Sequence, residues 1–381
     1  MSCSFSSTCG GCSFRDLPLI DYQQQKVGQV RAVLQLITRQ DFAFNEPVFI
    51  QDGSRRRASM AFARRKGKVV LGFNAAQSNE IINITDCPLL TPRINGSLDF
   101  IRRLLEEITA IECTERGRKK TRKTFRIEKG DVWVTEADNG LDLVLEFPSE
   151  LNLELRQIIF EKVSGQNEII RVSHRQSVNH RPETIMEKIK PHLLIAGREV
   201  YIPAGTFLQP SKAGEQALVG LVLDSLQGVT GTIADLFCGV GTFSYALSAL
   251  PETKIVAADS SAELLSGFQD SLNRQMISNI EIINRNLFKY PLAGKELHGF
   301  AAIVFDPPRA GAKEQVTAVA ALDNEAKPDK IVAVSCNPHS FVRDANILID
   351  GGYRLSSVTM VDQFIYSKHS ELVALFEKVR I

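Results

Sequence analysis

A cysteine at the end of an apolar run is the residue in this chain best placed to act as a nucleophile. Cys336 follows Lys330-Ile331-Val332-Ala333-Val334-Ser335 and precedes Asn337-Pro338, a strand ending in a polar turn. The carboxyl ends of strands are where an open α/β sheet presents its chemistry. Upstream, Ala301 to Phe305 ends in Asp306-Pro307-Pro308-Arg309, and Asp235-Leu236-Phe237-Cys238-Gly239-Val240-Gly241-Thr242-Phe243 reads as a strand, a glycine-rich turn and the start of a helix. Glycines there let backbone amides approach a ligand where a β-carbon would collide. The next strand ends in Ala258-Asp259-Ser260, an acid suited to two ribose hydroxyls. The chain has no Gly-Lys-Ser of the Walker type, which disfavours a triphosphate. A ligand with ribose hydroxyls and no phosphates, S-adenosylmethionine, fits best. Near the carboxyl end, His369-Ser370-Glu371 opens a last apolar strand and offers a carboxylate base. These residues describe an enzyme that attacks covalently while holding a nucleotide-like cofactor.

A second constellation is made of thiols. Of 7 cysteines, three crowd the amino terminus as Cys3, Cys9, Gly10, Gly11 and Cys12, and Cys87-Pro88 follows after a long gap. With no export signal, structural disulfides are not expected. Four thiolates suit zinc or an iron–sulfur cluster. Three ligands from one loop and a lone fourth from afar, with two glycines that let amides turn toward sulfur, favour a four-iron cluster over paired zinc knuckles.

The elements that must position these groups follow from periodicity. Residues 15–40 place Leu17, Ile20, Tyr22, Val27, Val30, Val33, Leu34 and Ile37 near one helical stripe. Short β-like runs follow at 47–50, 58–62, 69–73 and 81–84, a helix at 98–111, then strands at 125–127, 132–135 and 141–147 around an Asp138-Asn139-Gly140 turn. This predicts a small, mostly antiparallel β-unit. From Ser211 the pattern alternates: helix 211–226, strand 231–237, helix 241–250, strand 254–259, helix 261–275, strands 280–284 and 301–305, helix 313–322, strand 330–335, helix 338–349, and strands 353–362 and 371–378. Such alternation predicts a parallel sheet wrapped by helices on both faces.

At 381 residues the chain has room for two or more domains. No apolar run approaches the roughly 20 residues of a membrane span, and no secretory signal is visible, so a cytoplasmic protein with no membrane partner is expected; a monomer is expected as well. The net charge of +1 hides a polarity. Lys and Arg less Asp and Glu gives 29 − 24 = +5 for residues 1–190, 16 − 20 = −4 for 191–381, and 17 − 8 = +9 for 50–126. The clusters Arg55-Arg56-Arg57, Arg64-Arg65-Lys66 and Arg116 to Arg126 form a footprint for nucleic acid.

In this order, the cysteine set, Arg55-Arg56-Arg57-Ala58, Phe207-x-Gln209, Asp235 to Phe243, Asp306-Pro307-Pro308-Arg309, Ser335-Cys336-Asn337-Pro338 and His369-Ser370-Glu371 resemble the RNA uracil-5-methyltransferases over nearly the whole chain. The resemblance implies a doubly wound class I S-adenosylmethionine methyltransferase domain (15–47 and 196–381), joined to a smaller β-rich α+β central domain (1–14 and 48–195). The smaller domain would bind RNA and carry a 4Fe-4S cluster on Cys3, Cys9, Cys12 and Cys87. It also implies cofactor contacts at Gln209, Phe237, Thr242, Asp259 and Asp306. Thr242 stands where relatives often place Asn, and Asp259 is shorter than their Glu.

The implied chemistry is coherent. Carbon 5 of uracil is a weak nucleophile, so a Cys336 thiolate adds to carbon 6 and creates an enolate that takes the methyl group. Glu371 then removes the carbon-5 proton so that the adduct can eliminate. Arg309 or the start of the helix after Pro338 would favour the thiolate, and Cys238 is expected to pack rather than react. With the cysteine set present and no β-barrel ahead of it, 23S rRNA is the expected partner and tRNA the alternative. A cytosine-5 methyltransferase would carry a second cysteine in the Asp306-Pro307-Pro308 motif. A catalytically inactive, cluster-bearing RNA-binding protein would leave Cys336 and Glu371 idle.

Overall fold

The structure is a computed structural model that describes residues 3–39, 41–116 and 122–379, so residues 117–121 of the basic stretch lie outside the described residues. Contacts divide the chain into two compact units, one of Met1–Asp16, Gln51–Leu193 and Pro203–Ser211, the other of Leu17–Ile50, Leu194–Ile202 and Lys212–Ile381.

In the second unit, strands and helices alternate as Gly231–Leu236 (β1), Thr242–Leu247 (α1), Thr253–Asp259 (β2), Ala262–Arg274 (α2), Ile280–Asn284 (β3), Phe300–Phe305 (β4), Lys313–Ala320 (α3), Lys330–Ser335 (β5), Pro338–Asp350 (α4), Tyr353–Asp362 (β6) and Glu371–Lys378 (β7). The strand order is 3-2-1-4-5-7-6. Strands β1 to β5 are parallel. Ile303, Val304, Ile331 and Val332 are fully buried, as parallel strands covered on both faces require, and this is why they read as apolar blocks rather than alternations. The expectation of a parallel sheet needs one correction, because β7 runs antiparallel between β5 and β6. The segment between β6 and β7, residues 363–370, is shorter than the roughly dozen residues that a parallel crossover needs.

The outer edge of β6 is covered by Ala43–Phe44 and Val48–Phe49, both pairing parallel to it. Covering an edge removes a template for aggregation. Residues 47–50 therefore belong to this sheet and not to the small β-unit in which periodicity placed them. The helix Leu19–Leu34 buries Tyr22, Lys26, Val30 and Leu34 along one face, and Val30, Leu34 and Ile37 join the core of the second unit.

The first unit holds a seven-stranded sheet ordered Glu183–Glu187, Ile169–Arg175, Gly140–Glu146, Lys129–Ala137, Arg57–Arg65, Lys68–Asn74 and Ile81–Asn83. Ile169–Arg175 alone runs parallel to its neighbour Gly140–Glu146, reached by a crossover through the helix Leu153–Ser164. Helix Pro92–Ala110 begins earlier than its apolar stripe suggested, because the Thr91 side chain caps the Ile94 amide and Pro92 occupies the first turn.

Residues 203–211 sit with the first unit rather than with 196–381. The Arg56 Nε donates to the Gln209 carbonyl at 2.9 Å and Arg57 Nη1 to the Leu208 carbonyl at 2.9 Å. Arg56 is buried, and burial lowers the pKa of Arg55 and of Arg57, the latter to about 10. This basic cluster holds chain together as well as carrying charge. No helix among the described residues is long and apolar enough to cross a membrane.

Candidate active site

The strand order reverses between β1 and β4, and the crevice above that point is where an open α/β sheet binds ligands. The turn after β1 is wound tightly. Phe237 has φ 63°, Gly239 56° and Gly241 89°, all left-handed. A β-carbon on Gly241 would stand 2.4 Å from the Phe268 ring, so only glycine fits. Phe237 is the exception, a bulky residue in a conformation that costs about 1–3 kcal/mol and is usually kept for function. Its ring packs 5.3 Å from that of exposed Phe288.

Asp259, at the end of β2, accepts from the Gly239 amide at 3.1 Å through Oδ2 and from the Ser261 amide at 2.8 Å through Oδ1. Two amides orient this carboxylate and leave lone pairs for hydroxyl donors. Thr242 opens α1. Cys238 is 6% exposed and burial pushes its thiol well up, which makes it a packing residue. Asp235 is fully buried, accepts from the Ser244 hydroxyl, and has its pKa raised to about 7, first by burial, with Asp306 and Asp259 adding to it. Gln209 is 7% exposed and lies in the first unit.

Beyond β4 and β5 the candidate nucleophile and base share one environment. Cys336 is half-buried, and its thiol is pushed up to about 11 by burial, then by Glu371 and Asp306, with Arg309 opposing them. Glu371 is 3% exposed, and its pKa is raised to about 8 by burial and then by Asp306, while a hydrogen bond from Gln363 and the charge of Arg309 pull it back. Its Oε2 atom is buried with no hydrogen-bond partner among the described residues. One acid, Asp306, thus acts on Asp235, Cys336 and Glu371 alike.

The turn that carries Cys336 is braced. Asn337 donates through Nδ2 to the Arg309 carbonyl at 3.0 Å and caps α4 by accepting from the His339 amide at 3.1 Å. Arg309 Nη2 lies 2.8 Å from His369 Nε2. A guanidinium only donates, so in this contact the imidazole nitrogen is the acceptor. A groove of about 310 Å³ runs beside the thiol, bounded by Gln29 and Val33 of the first helix and by Arg309, Cys336, His339 and His369. The polar side chains of Gln29, Arg309, His339 and His369 along this groove suit a polar, anionic substrate.

Sequence reasoning named the acids and the thiol but missed Phe288, Gln363 and a buried set made by Tyr22, Lys26 and Asp362. Lys26 and Asp362 are each about 1% exposed and their charges meet at 2.8 Å.

In the first unit the four thiols of Cys3, Cys9, Cys12 and Cys87 are electrostatically linked. Burial and then Cys87, Cys9 and Cys3 push Cys12 up to about 12, with Arg15 opposing. Burial, Cys3 and Cys9 likewise raise Cys87. The Gly11 amide points at Cys9 Sγ at 3.4 Å, and Gly10 is pressed so close to the Asn74 carbonyl that a β-carbon would stand 2.9 Å from it. Among the described residues no three His, Cys, Asp or Glu side chains are arranged to hold a metal ion.

The tRNA (uracil-5-)-methyltransferase family profile matches residues 150–379. An uncharacterized RNA methyltransferase of Mesorhizobium japonicum is 36% identical over 381 residues, 100% of this chain and 84% of its own. A 23S rRNA (uracil(1939)-C(5))-methyltransferase, RlmD, of Aliivibrio fischeri is 28% identical over 99% of this chain and 82% of its own. The fold is similar to that of a Pyrococcus abyssi tRNA (uracil-54, C5)-methyltransferase solved with S-adenosyl-L-homocysteine, at a TM-score of 0.72 and 20% identity over 96% of this chain and 85% of that one. With a thiol, a buried carboxyl group and a glycine-rich turn at strand ends of one α/β sheet, and with these matches, the chain belongs to the tRNA (uracil-5-)-methyltransferase family.

Proposed function

We propose that the protein methylates carbon 5 of a uridine in 23S rRNA, using S-adenosylmethionine and a transient covalent bond from Cys336 to carbon 6 of the ring. The observation that carries this is the pairing of a half-buried thiol with a buried, partnerless carboxyl oxygen within reach of one acid's field. Methylation of an exocyclic nitrogen needs neither group. S-adenosylmethionine supplies an electrophilic methyl group, and Phe237, Thr242, Asp259 and Asp306 would hold it.

The residues divide the work. Cys336 Sγ forms the bond to carbon 6. Glu371 accepts the carbon-5 proton, the carbon–sulfur bond breaks, the double bond returns and the thiolate leaves. Burial, Glu371 and Asp306 favour the protonated thiol of Cys336, and the charge of Arg309 favours the thiolate. The target base must leave its stack to reach this rim.

The thiol set suits an iron–sulfur cluster, since four mutually repelling thiolates are costly without a cation among them and the Gly11 amide already faces sulfur. Cys3, Cys9, Cys12 and Cys87 would hold it. The name of the Aliivibrio relative favours 23S rRNA, and the family profile keeps tRNA as the second substrate. Mapping 5-methyluridine in both RNAs from cells that lack the protein decides between them. Loss of one 23S rRNA site supports the proposal; loss from tRNA alone replaces the substrate, and no loss from either removes it.

A further inference from the structure

We infer that Lys26, on a helix more than three hundred residues away in sequence from the base, is a positioning residue for proton removal at Glu371. It acts by fastening the segment between β6 and β7. This inference rests on the proposed uracil-5 chemistry and concerns the last step of it.

Within the segment the Ser367 amide and hydroxyl donate to the Phe364 carbonyl and the His369 amide donates to the Ser367 hydroxyl, and the helix Leu19–Leu34 supplies further fixings. Lys26 Nζ donates to the Ser367 carbonyl at 2.7 Å and to the His369 carbonyl at 2.5 Å, and pairs with Asp362 Oδ1 at 2.8 Å. One turn earlier on the same face, the Tyr22 hydroxyl donates to Asp362 Oδ2 and accepts the Tyr366 amide at 2.8 Å. The Tyr22 and Tyr366 rings stack at 4.6 Å, and Tyr366 is held at φ 57°. Residues 362, 366, 367 and 369 are thus all tied to one helical turn.

What lies between and beside those ties is the chemistry. Gln363, the hydrogen-bond partner of Glu371, follows Asp362 directly. His369, whose ring meets Arg309 at 2.8 Å, precedes the base by two residues. A buried lysine that gives its donors to two carbonyls and a carboxylate is an expensive fixture. Burial lowers its pKa while Asp362 restores part of the loss. A merely structural loop of this length would be held more cheaply by apolar side chains. The geometry places the cost where a carboxyl oxygen must be held ready for a carbon-bound proton, and misplacement of that kind slows a step by about 100-fold per ångström.

The step is balanced within the chain. The proton leaves carbon 5 for the Glu371 carboxylate, its electron pair reforms the ring double bond, and the carbon–sulfur bond breaks to return the Cys336 thiolate. Loosening Glu371 therefore leaves addition and methyl transfer intact and slows release.

The test uses full-length protein, S-adenosylmethionine and unmodified uridine RNA. In the neutral pair Lys26→Gln with Asp362→Asn, which leaves no charge buried alone, kcat is expected to fall by about 10- to 100-fold. A methylated protein–RNA adduct should then accumulate on denaturing gels, where the wild type shows little. Lys26→Arg, which keeps the charge and the donors, should recover most of kcat. Loss of kcat without adduct, at an unchanged melting temperature, or wild-type kcat in the double variant, overturns the inference. If the double variant fails to fold, Lys26→Arg and Tyr22→Phe decide by the same adduct measurement. A wild-type protein that methylates no uridine overturns the function itself, and is distinguishable because it needs no variant.

Discussion

At the scale of single residues, the site is built from groups held away from their ordinary protonation. Glu371 has its pKa raised from 4.5 to about 8. Its folded form binds a proton that the unfolded chain has released, so the wild type loses stability as pH rises from 4.5 toward 8 and stays level above. Glu371→Gln should therefore melt above the wild type at pH 8, with the gap shrinking toward zero at pH 5. A pH-independent gap in calorimetry would show that Glu371 titrates normally. Cys336, pushed up to about 11, should react slowly with iodoacetamide at neutral pH and faster as pH approaches that value. A low midpoint near 7 would contradict the burial and acid field described. These shifts were not legible in the sequence. Cys336, Glu371 and Asp306 stand out by type and by their place at strand ends, but their mutual fields depend on three separate strands arriving at one rim.

At the scale of elements, β1 and the turn after it carry the tightest constraint. Gly241→Ala combines a left-handed φ of 89° with a β-carbon 2.4 Å from Phe268. It should cost about 1–3 kcal/mol in denaturant unfolding and weaken S-adenosylmethionine binding by calorimetry. Gly165→Ala, where nothing lies within 4 Å and φ is ordinary, should do neither. The alternating elements after residue 211 were readable because the central strands β1, β4 and β5 are buried on both faces and helices such as α2 and α4 are amphipathic. The placement of 43–49 was not, since two-residue strands carry no period. The antiparallel entry of β7 follows from a short connection, a geometric fact that periodicity does not express. Lys26 did leave a trace. It interrupts the stripe Tyr22, Val30 and Leu34 at helical spacing, and a lysine inside an apolar stripe asks for a buried partner. The partner, Asp362, could be found only from the fold.

At the scale of the whole molecule, the two units carry different chemistry and opposite charge. Residues 1–190 are net basic and hold the thiol set; the remainder is net acidic and holds the methyltransferase sheet. If the four thiols hold an iron–sulfur cluster, anaerobically purified protein should show visible thiolate-to-iron absorption and about four iron atoms per chain. Cys12→Ser should lose both. Stoichiometric zinc with no colour would assign the set to a tetrahedral zinc site instead. The division into domains was implied by the family resemblance, whereas the change of period near residues 48 and 211 marked only where the β-rich runs and the βα alternation begin. The transfer of 203–211 to the basic unit was not, because it depends on Arg56 and Arg57 gripping two backbone carbonyls. The most direct measurement for the molecule as a whole is mass spectrometry of protein incubated with S-adenosylmethionine and RNA that carries 5-fluorouridine, whose carbon-5 fluorine cannot leave as a proton. A methylated nucleotide bonded to Cys336, absent from Cys336→Ala, is the predicted result. A 5-methyluridine product from unmodified RNA with Cys336→Ala, or an adduct on any other cysteine, would contradict it.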